Sequence, residues 1–343
     1  MEKIRFGKSN MMVSRIAFGG IPIMRLPKEE AVSVVRGVID MGVNFLDTAN
    51  AYSDSEEKIG QAIKGIERDS LVIASKSTAT DKKTFLSHLD LCLERLGTDY
   101  VDFYQLHNVS SRAKHDAIFA PGGAYEGLVE AERAGKVRFK AFSSHSIPLA
   151  MGIMKTGKFA AVQLPFNFVD DEASKEAIPL AIKLDMGFIC MKPFGGGLLD
   201  SADLAIRYLL QFDGIVPDPG IEKLSEMREI VSIVNERKPF SEADKKVMDS
   251  LRKELGDRWC HRCDYCQPCP QGIGISSVLT VESMIKRMPL ERVFAMARES
   301  IERARCCIEC GACAARCPYS LPIPRLLKEK VAVWDKTVAG NAA

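Results

Sequence analysis

Short apolar runs alternate with longer amphipathic segments over the first 236 residues. Between the runs, apolar residues recur every three or four positions, as in residues 29–41 and 84–96, which predicts amphipathic helices. Eight apolar runs of strand length precede such segments: residues 15–20, 44–49, 71–77, 101–107, 140–145, 161–167, 187–193 and 214–220. A strand followed by a helix, repeated eight times, predicts an α/β fold of the (β/α)8 barrel type.

A doubly wound parallel sheet is the alternative for such an alternation. That fold needs fewer strand–helix units and usually carries a glycine-rich fingerprint after its first strand. The chain reads AFGGIP at residues 17–22, which does not fit the fingerprint. Ahead of this run, residues 5–13 predict a short hairpin that turns at residues 8–10 and could plug a barrel. The pattern therefore favours the barrel.

The cysteines are concentrated near the end of the chain. Eight of the eleven form two runs, C-x2-C-x2-C-x2-C-P and C-x2-C-x2-C-x3-C-P. The second run matches the bacterial iron–sulfur pattern, in which three cysteines hold one cluster and the fourth holds the other. This crossing rule predicts two [4Fe–4S] clusters, one held by Cys260, Cys263, Cys266 and Cys317, the other by Cys307, Cys310, Cys313 and Cys269.

The first run departs from the bacterial pattern, because only two residues separate its last two cysteines. The role of Cys269 is therefore open, and Cys306 could replace its neighbour Cys307 as a ligand. Two other uses of the cysteines are a zinc site made of C-x2-C pairs and a disulfide framework. Triple rather than paired spacing, with Pro after the fourth cysteine, favours iron and sulfur.

The composition of the chain changes after residue 236. Residues 237–258 are strongly charged, and Ser241 with Asp244 is a typical helix start, so we expect a charged helical linker. Residues 276–304 predict helices between the two cysteine runs. The expected domains are a barrel over residues 1–236, the linker over 237–258, a ferredoxin-like domain with two clusters over 259–327, and a C-terminal tail over 328–343, frayed from residue 336.

Length and charge narrow the class of protein. The 343 residues suffice for one full-sized domain and a small one, and the net charge of +2 suggests neither nucleic acid nor a membrane surface as a partner. The beginning of the chain lacks an apolar signal region, and no apolar run is long enough to span a bilayer. Thiols kept for metal need a reducing compartment, which predicts the cytoplasm and a host that lives with little or no oxygen.

Ionisable side chains stand at or just behind the ends of predicted strands two, three and four. In a (β/α)8 barrel, the chemistry lies at the carboxyl ends of the strands. An ammonium group beside a phenol favours the phenolate, an aspartate can hold that ammonium, and a histidine can orient a substrate carbonyl. Such a set can protonate a carbonyl oxygen. The candidates are Asp47, Tyr52, Lys76 and His107.

Each of these residues also has a structural explanation. A lysine at a strand end is usually a solvated charge on the barrel rim, and Asp47 could cap a helix through Thr48. Tyr52 could pack within a loop, and His107 could be a core histidine. Their joint presence in this order, on successive strands, favours the catalytic interpretation.

Four motifs resemble those of the aldo-keto reductases. They are NFLDTANAYSDSEEKIG at residues 44–60, ASKS at 74–77, LGTDYVDFYQLH at 96–107 and SSHS at 143–146. The resemblance extends over residues 3–235, and residues 259–325 resemble the ferredoxin-like extension of a subset of that superfamily. It implies a (β/α)8 barrel that uses NAD(P)H, with Tyr52 as the general acid and Lys76, Asp47 and His107 in support.

The resemblance also implies a nicotinamide site for NADP or NAD. In the family, polar residues after strands five and six hold the carboxamide, which points to Ser143, Ser144 and Gln163. Where an aromatic ring usually stacks on the nicotinamide, this chain has Met191, whose sulfur packs on a ring less specifically.

The phosphate and adenosine ends of the cofactor would lie beyond strands seven and eight. Lys192 is followed by a glycine run that begins at Gly195, whose backbone amides could approach a pyrophosphate, although a flexible lid is an equal alternative. The segment with Gly220 and Lys223 resembles the loop and helix on the adenosine side. Lys223 could meet a 2′-phosphate, whereas Asp218 would repel one.

The two halves of the chain predict two kinds of chemistry. The barrel would move a hydride, whereas each iron–sulfur cluster moves one electron. We expect an oxidoreductase that interconverts a small carbonyl compound and its alcohol, with clusters that exchange electrons with a ferredoxin or another redox protein. Two alternatives stay open: structural or sensory clusters in an ordinary reductase, or a non-catalytic electron-transfer subunit on a barrel scaffold.

Overall fold

The computed structural model describes residues 1–341. The chain divides into two compact units. The first unit comprises Met1–Gly195 and Leu199–Phe240, and the second comprises Gly196–Leu198 together with the chain from Ser241 onward. The division between the two units falls within residues 237–258, the expected linker.

A β-hairpin opens the first unit. Strand β1 (Lys3–Phe6) pairs antiparallel with β2 (Met11–Ser14). Phe6 is fully buried, and its ring meets the rings of Phe45 and Phe103 edge-on at 5.5 and 5.3 Å. These aromatic contacts hold the hairpin against the inside of the sheet as the plug that the sequence predicts.

Eight parallel strands follow, each paired with its neighbours in chain order. They are β3 (Phe18–Gly19), β4 (Phe45–Asp47), β5 (Val72–Ser77), β6 (Val101–Leu106), β7 (Val137–Ser143), β8 (Ala161–Pro165), β9 (Gly187–Met191) and β10 (Ile215–Asp218). Between the first and last of them, Ala17 N donates to Pro217 O at 2.9 Å. Gly19 N donates to Pro219 O at 2.8 Å. These bonds close the sheet, which confirms the predicted (β/α)8 barrel.

Helices alternate with these strands. They are α1 (Lys28–Asp40), α2 (Ser55–Ile63), α3 (Lys82–Leu96), α4 (Arg112–Phe119), α5 (Ala124–Arg133), α6 (Ile147–Lys155), α7 (Ala177–Lys183), α8 (Ala202–Leu209) and α9 (Leu224–Glu236), with 3-10 turns at Gly7–Ser9, Pro22–Arg25, Arg68–Ser70 and Glu172–Ser174. Local chemistry sets their ends: the Asp81 side chain accepts from Thr84 N to begin α3, and Gly97 ends it at φ 65°. Because the strands are parallel, their carboxyl ends meet at one mouth.

The second unit is helical. Its helices are α10 (Glu242–Gly256), α11 (Ile275–Leu279), α12 (Val281–Arg287), α13 (Leu290–Arg305), α14 (Ala312–Ala315) and α15 (Ile323–Asn341). Ser241 and Asp244 form a capping box at the start of α10, as the sequence predicts. In residues 1–341, no helix combines the length and the apolar composition needed to cross a bilayer.

The last helix differs from the expected C-terminal tail. Helix α15 runs without a break through residues 328–341. Trp334 on this helix is 3% exposed and packs edge-on against Phe294 of α13, with ring centroids 5.0 Å apart. Residues 328–341 are therefore part of the packed domain, because this aromatic contact anchors them. The end of the expected tail, residues 342–343, lies outside the described residues.

Candidate functional site

A buried ion pair occupies the barrel mouth. Lys76 on β5 donates from Nζ to Asp47 Oδ2 at the end of β4 (2.5 Å) and to Thr48 O (2.7 Å). The Lys76 and Asp47 side chains are 2% and 3% exposed. Burial alone would lower the pKa of Lys76, but three acidic groups around it, Asp47, Tyr52 and Asp218, outweigh burial and raise that pKa. Lys76 therefore stays an ammonium ion.

Tyr52 lies in the loop after β4, next to the ion pair. The Nζ atom of Lys76 is 5.0 Å from the centre of the Tyr52 ring. Backbone hydrogen bonds from Tyr52 N to Ala49 O and from Ser55 N to Tyr52 O, both 2.9 Å, fix the loop. The ammonium group of Lys76 is therefore close enough to act electrostatically on the phenol group of Tyr52.

His107 follows β6 directly and completes the group. Its ring is edge-on to that of Tyr52, with centroids 5.8 Å apart. The residue is partly exposed, but Nδ1 is buried and has no hydrogen-bond partner among residues 1–341. Burial, and then the charges of Lys76 and Lys114, hold the pKa of His107 well below its ordinary 6.5. His107 is thus a neutral imidazole that can donate one N–H. The structure therefore brings the four candidate catalytic residues together.

Gln163 on β8 also contacts the ion pair. Its Nε2 donates to Asp47 Oδ2 at 3.3 Å and to Asp218 Oδ2 at 3.0 Å. Its Oε1 is buried and has no hydrogen-bond partner within the described chain. A buried amide oxygen of this kind can accept from the carboxamide N–H2 of a nicotinamide. The predicted cofactor therefore fits the chemistry of this position.

Asp218, at the end of β10, is a site residue that the sequence reasoning missed. Burial, and then the nearby Asp47, raise the pKa of Asp218 well above its ordinary 3.8, whereas Lys76 lowers it. From the sequence, Asp218 is expected only to repel the 2′-phosphate of a cofactor. The available signal was its position, because it ends the last strand of the barrel, where functional side chains gather.

The hydroxyl groups of Ser143 and Ser144 contact the backbone after β6. Ser143 Oγ accepts from Asn108 N at 2.9 Å, and Ser144 Oγ donates to Val109 O at 2.8 Å. Both serines are buried. Ser143 therefore keeps a hydroxyl proton for a further acceptor, whereas Ser144 uses its proton inside the protein.

The other candidate cofactor residues lie outside the hydrogen-bonded group around Asp47, as far as the described residues show. Met191 ends β9, and Lys192 follows with φ 59° and its Nζ 3.2 Å from His145 Nδ1. Gly195 has φ 58°. Gly220 forms a parallel bridge with Gly19, and Lys223 is exposed at the start of α9.

Eight cysteines of the second unit line two small cavities, four to each. One cavity is lined by Cys260, Cys263, Cys266 and Cys317. The other is lined by Cys269, Cys307, Cys310 and Cys313. The fourth cysteine of each run thus lies with the first three of the other run. This is the crossed arrangement of two-cluster ferredoxins.

Cys269 lies in the second cavity despite the shorter spacing of its run. Gln267 Oε1 accepts from Cys269 N at 3.0 Å, and Gln267 Nε2 donates to Ile273 O at 2.9 Å, which fixes the loop. Cys306 is exposed at the end of α13 and is not among the residues that line either cavity. The geometry thus groups Cys269, and not Cys306, with three other cysteines.

Burial raises the pKa of three cysteines that line these cavities, Cys263, Cys266 and Cys313. It raises the pKa of Cys266 to about 12, and the charges of Cys260 and Asp264 add to this effect. Thiolates at such positions need a compensating positive charge, which iron supplies. In residues 1–341, no three or more His, Cys, Asp or Glu side chains converge closely enough to hold a single metal ion.

Comparison with protein families gives two matches. The Aldo/keto reductase family matches residues 15–203, which is more than half of the chain. The 4Fe-4S dicluster domain matches residues 259–322, the region of the two cysteine runs.

Individual relatives agree with the first match. The aldo-keto reductase YhdN of Bacillus subtilis is 27% identical over 256 residues, which cover 69% of this chain and 75% of that protein. The uncharacterized oxidoreductase YqkF of the same organism is 25% identical over 217 residues, which cover 60% of this chain and 68% of that protein.

Solved structures share the barrel fold. Aldo-keto reductase AKR11C1 from Bacillus halodurans, in its holo form, superposes with a TM-score of 0.62 at 22% identity and covers 73% of this chain and 96% of its own. An aldo-keto reductase from Klebsiella pneumoniae in complex with NADPH gives a TM-score of 0.62 at 20% identity, covering 73% and 95%. These two likenesses concern the fold alone, whereas the family match spans more than half of the sequence. The chain belongs to the aldo/keto reductase family, and a 4Fe-4S dicluster domain follows its barrel in the sequence.

Proposed function

We propose that this oxidoreductase interconverts a small carbonyl compound and its alcohol at the barrel mouth, with Tyr52 as the general acid. One observation carries the proposal: the Lys76 Nζ atom is 2.5 Å from Asp47 Oδ2 and 5.0 Å from the centre of the Tyr52 ring. A phenol alone is a poor acid at neutral pH. With an ammonium ion beside it, the phenol can give its proton to the oxygen of a substrate carbonyl.

His107 would orient the substrate. Because its imidazole is neutral, it can donate one hydrogen bond to the carbonyl oxygen without adding a charge. Lys114 Nζ donates to His107 O at 2.7 Å, which steadies the backbone at this position. Tyr52 would then supply the proton and His107 the alignment.

A nicotinamide cofactor, NADP or NAD, would supply the hydride. The Oε1 atom of Gln163 and the hydroxyl group of Ser143 are suited to its carboxamide, because one can accept and the other can donate. Ser144 would support Ser143, and Met191 would lie near the ring. The Klebsiella pneumoniae reductase in complex with NADPH supports the phosphorylated form. The candidate residues for the phosphate and adenosine ends are Lys192, Gly195, Gly220 and Lys223.

For the second unit we propose two [4Fe–4S] clusters held by the two crossed sets of cysteines. The 4Fe-4S dicluster match and the four cysteines around each cavity support this assignment. Such clusters exchange single electrons, so a ferredoxin or another redox protein is the proposed partner. The same thiols support a reducing compartment, for which we propose the cytoplasm.

Tyr52→Phe tests the general acid. We expect it to lower kcat for anaerobic, NADPH-dependent reduction of a probe carbonyl, 4-nitrobenzaldehyde, by about 100-fold or more, because only the phenolic hydroxyl is lost. Tyr100→Phe is the matched control. It removes a hydroxyl group that donates to Asp69 at 2.6 Å, at the opposite end of β6 from His107. Wild-type activity in Tyr52→Phe would refute the assignment.

Anaerobic titration with NADPH, followed by EPR, tests whether the clusters take part in the reaction. Reduced-cluster signals on addition of NADPH would support electron exchange. Aldehyde reduction with clusters that respond only to dithionite would instead favour structural or sensory clusters. We expect Cys313→Ser to lose one cluster and Cys306→Ser to lose none, which assigns the signals.

A further inference from the structure

Asp218 is a buried carboxyl group beside the ion pair that the proposed reaction does not use. It is 8% exposed. Its Oδ2 accepts from Gln163 Nε2 at 3.0 Å, and its Oδ1 is buried without a hydrogen-bond partner in residues 1–341. A Cβ atom placed on Gly19 would lie 3.0 Å from Oδ1, so the backbone of β3 packs closely against the group. The carboxyl group is therefore held from two sides.

One amide group links Asp218 to Asp47. Gln163 Nε2 donates to Oδ2 of Asp47 at 3.3 Å and to Oδ2 of Asp218 at 3.0 Å. Side chains from three strands, β4, β8 and β10, thus meet at one point inside the barrel mouth.

The ionisable groups around this point come from several elements. Besides Asp47 and Asp218, they are Tyr52 in the loop after β4, Lys76 on β5 and Cys190 on β9. Burial raises the pKa of Cys190 well above its ordinary value, and Asp218 raises it further, so this thiol stays neutral. Within this group, Lys76 is the cation.

Two ionised carboxylates would not be balanced by this single cation. Lys76 already pairs with Asp47 at 2.5 Å. A second carboxylate would leave a net negative charge in a buried site, where like charges in contact force one group to keep its proton. Asp218 is that group, because Lys76 pairs with Asp47, whereas Asp218 Oδ1 is buried without a hydrogen-bond partner in residues 1–341.

We propose that Asp218 is a positioning residue that retains its proton and shares it with Asp47 in a hydrogen bond. The shared proton draws negative charge away from Asp47, so Lys76 is less fully compensated and favours the phenolate of Tyr52 more strongly. Asp218 would thus act on the reaction through Asp47 and Lys76 without touching the substrate. This catalytic consequence rests on the proposed function, whereas the shared proton does not.

Infrared spectroscopy of the anaerobic holoprotein tests the shared proton. In protein labelled with ¹³C-aspartate, a protonated aspartic acid gives a C=O stretch that the label shifts. We expect this band at neutral pH in the wild-type protein and its loss in Asp218→Asn. Absence of the band from the wild type, or its persistence in Asp218→Asn, would overturn the proposal. The wild-type spectrum decides even if the variant does not fold.

Asp102→Asn is the matched control for the infrared experiment. Asp102 is also fully buried, but Arg68 and Arg138 pair with it at 2.7 and 3.1 Å. Because this carboxyl group pairs with two arginines and not with another carboxyl group, its replacement should leave the band in place. Loss of the band in Asp102→Asn would show that the proton lies on Asp102 and not on Asp218, which would also overturn the proposal.

Two substitutions test the positioning role. Asp218→Asn keeps a donor to Asp47, whereas Asp218→Ala removes it. With 4-nitrobenzaldehyde and NADPH, we expect Asp218→Asn to retain kcat and Asp218→Ala to lower it about 10- to 100-fold with little change in KM. An equal effect of both variants would overturn the role. If the wild type reduces no carbonyl compound, the proposed function fails, while the infrared band still decides whether the proton is shared.

Discussion

The barrel mouth and the cysteine-lined cavities hold charge in different ways. At the mouth, the buried charge of Lys76 is paired within the protein: Lys76 donates to Asp47, and Gln163 donates to the same carboxylate. In the second unit, four thiols surround each cavity, and no disulfide joins any cysteine in the described chain. Because burial raises the pKa of Cys266 to about 12, thiolates there need positive charge from outside the polypeptide. The fold preforms the first site, and bound metal completes the second.

The two regions also differ in how their cores are built. The barrel is packed around the hairpin and closed strand by strand, whereas the core of the second unit surrounds its cysteines. Cys266 and Cys313 are buried members of that core, and Cys260 and Cys307 pack against it. A small core of this kind gains a large share of its stability from metal. We therefore expect the clusters to stabilise the second unit and to leave the barrel almost unaffected.

Removal of the clusters should change stability the most, and only in the second unit. Oxidative extrusion of iron under a chelator should unfold helices α11–α15, because a structural metal contributes on the order of 10 kcal/mol to folding. Both tryptophans, Trp259 and Trp334, are buried in the second unit at 6% and 3% exposure. Their fluorescence should move to longer wavelength once iron is lost.

Hydrogen exchange gives the control for this experiment. Peptides from β3 to β10 should keep their protection in the same sample, because the barrel closes through its own hydrogen bonds. Protected amides in α13 and α15 after verified loss of iron would show that the second unit folds without metal. The proposed difference in metal dependence between the two regions would then be wrong.

Replacement of Lys76 tests the barrel mouth, where we expect the next largest loss of stability. Lys76→Met leaves the buried Asp47 without its cation, which should lower the free energy of unfolding of the barrel by about 3–5 kcal/mol. Lys136→Met is the matched control. Its partner Asp90 lies at 2.7 Å, but the two side chains are 46% and 60% exposed, so the loss should stay below about 1 kcal/mol. The free energy of unfolding would be measured by hydrogen exchange of the β5 amides. Similar losses in both variants would show that the buried pair of Lys76 and Asp47 does not stabilise the site more than an exposed pair does.

The sequence pattern predicts the barrel and the candidate residues whose positions follow from it. The apolar runs predict eight strands, and a residue at the carboxyl end of a strand lies near the mouth of the barrel. Asp47, Lys76 and His107 could therefore be placed from local information. The crossed cysteine sets could likewise be predicted from the sequence, because the spacing of each run is a local property.

Contacts that depend on distant parts of the chain could not be placed in this way. Gln163 and Asp218 are 55 positions apart and meet only when β8, β9 and β10 pair in one sheet. The engagement of Ser143 by Asn108 N depends similarly on the register of β6 and β7. The aromatic contact between Phe294 and Trp334 extends the second unit past its expected end for the same reason.

The titration of His107 should have the smallest effect on stability, and it tests the protonation state of a group at the barrel mouth. Its pKa in the folded protein lies well below the ordinary 6.5, mainly through burial. As the pH falls below about 6.5, the unfolded chain binds a proton that the folded chain refuses, so stability declines by up to about 1.4 kcal/mol per pH unit until the folded pKa is reached. His107→Asn should remove this slope. Hydrogen exchange of β6 amides in both proteins should therefore give parallel stabilities above that pH and diverge below it. Parallel curves across the whole range would mean that the ring titrates freely, and a neutral donor at the mouth would lose its physical basis.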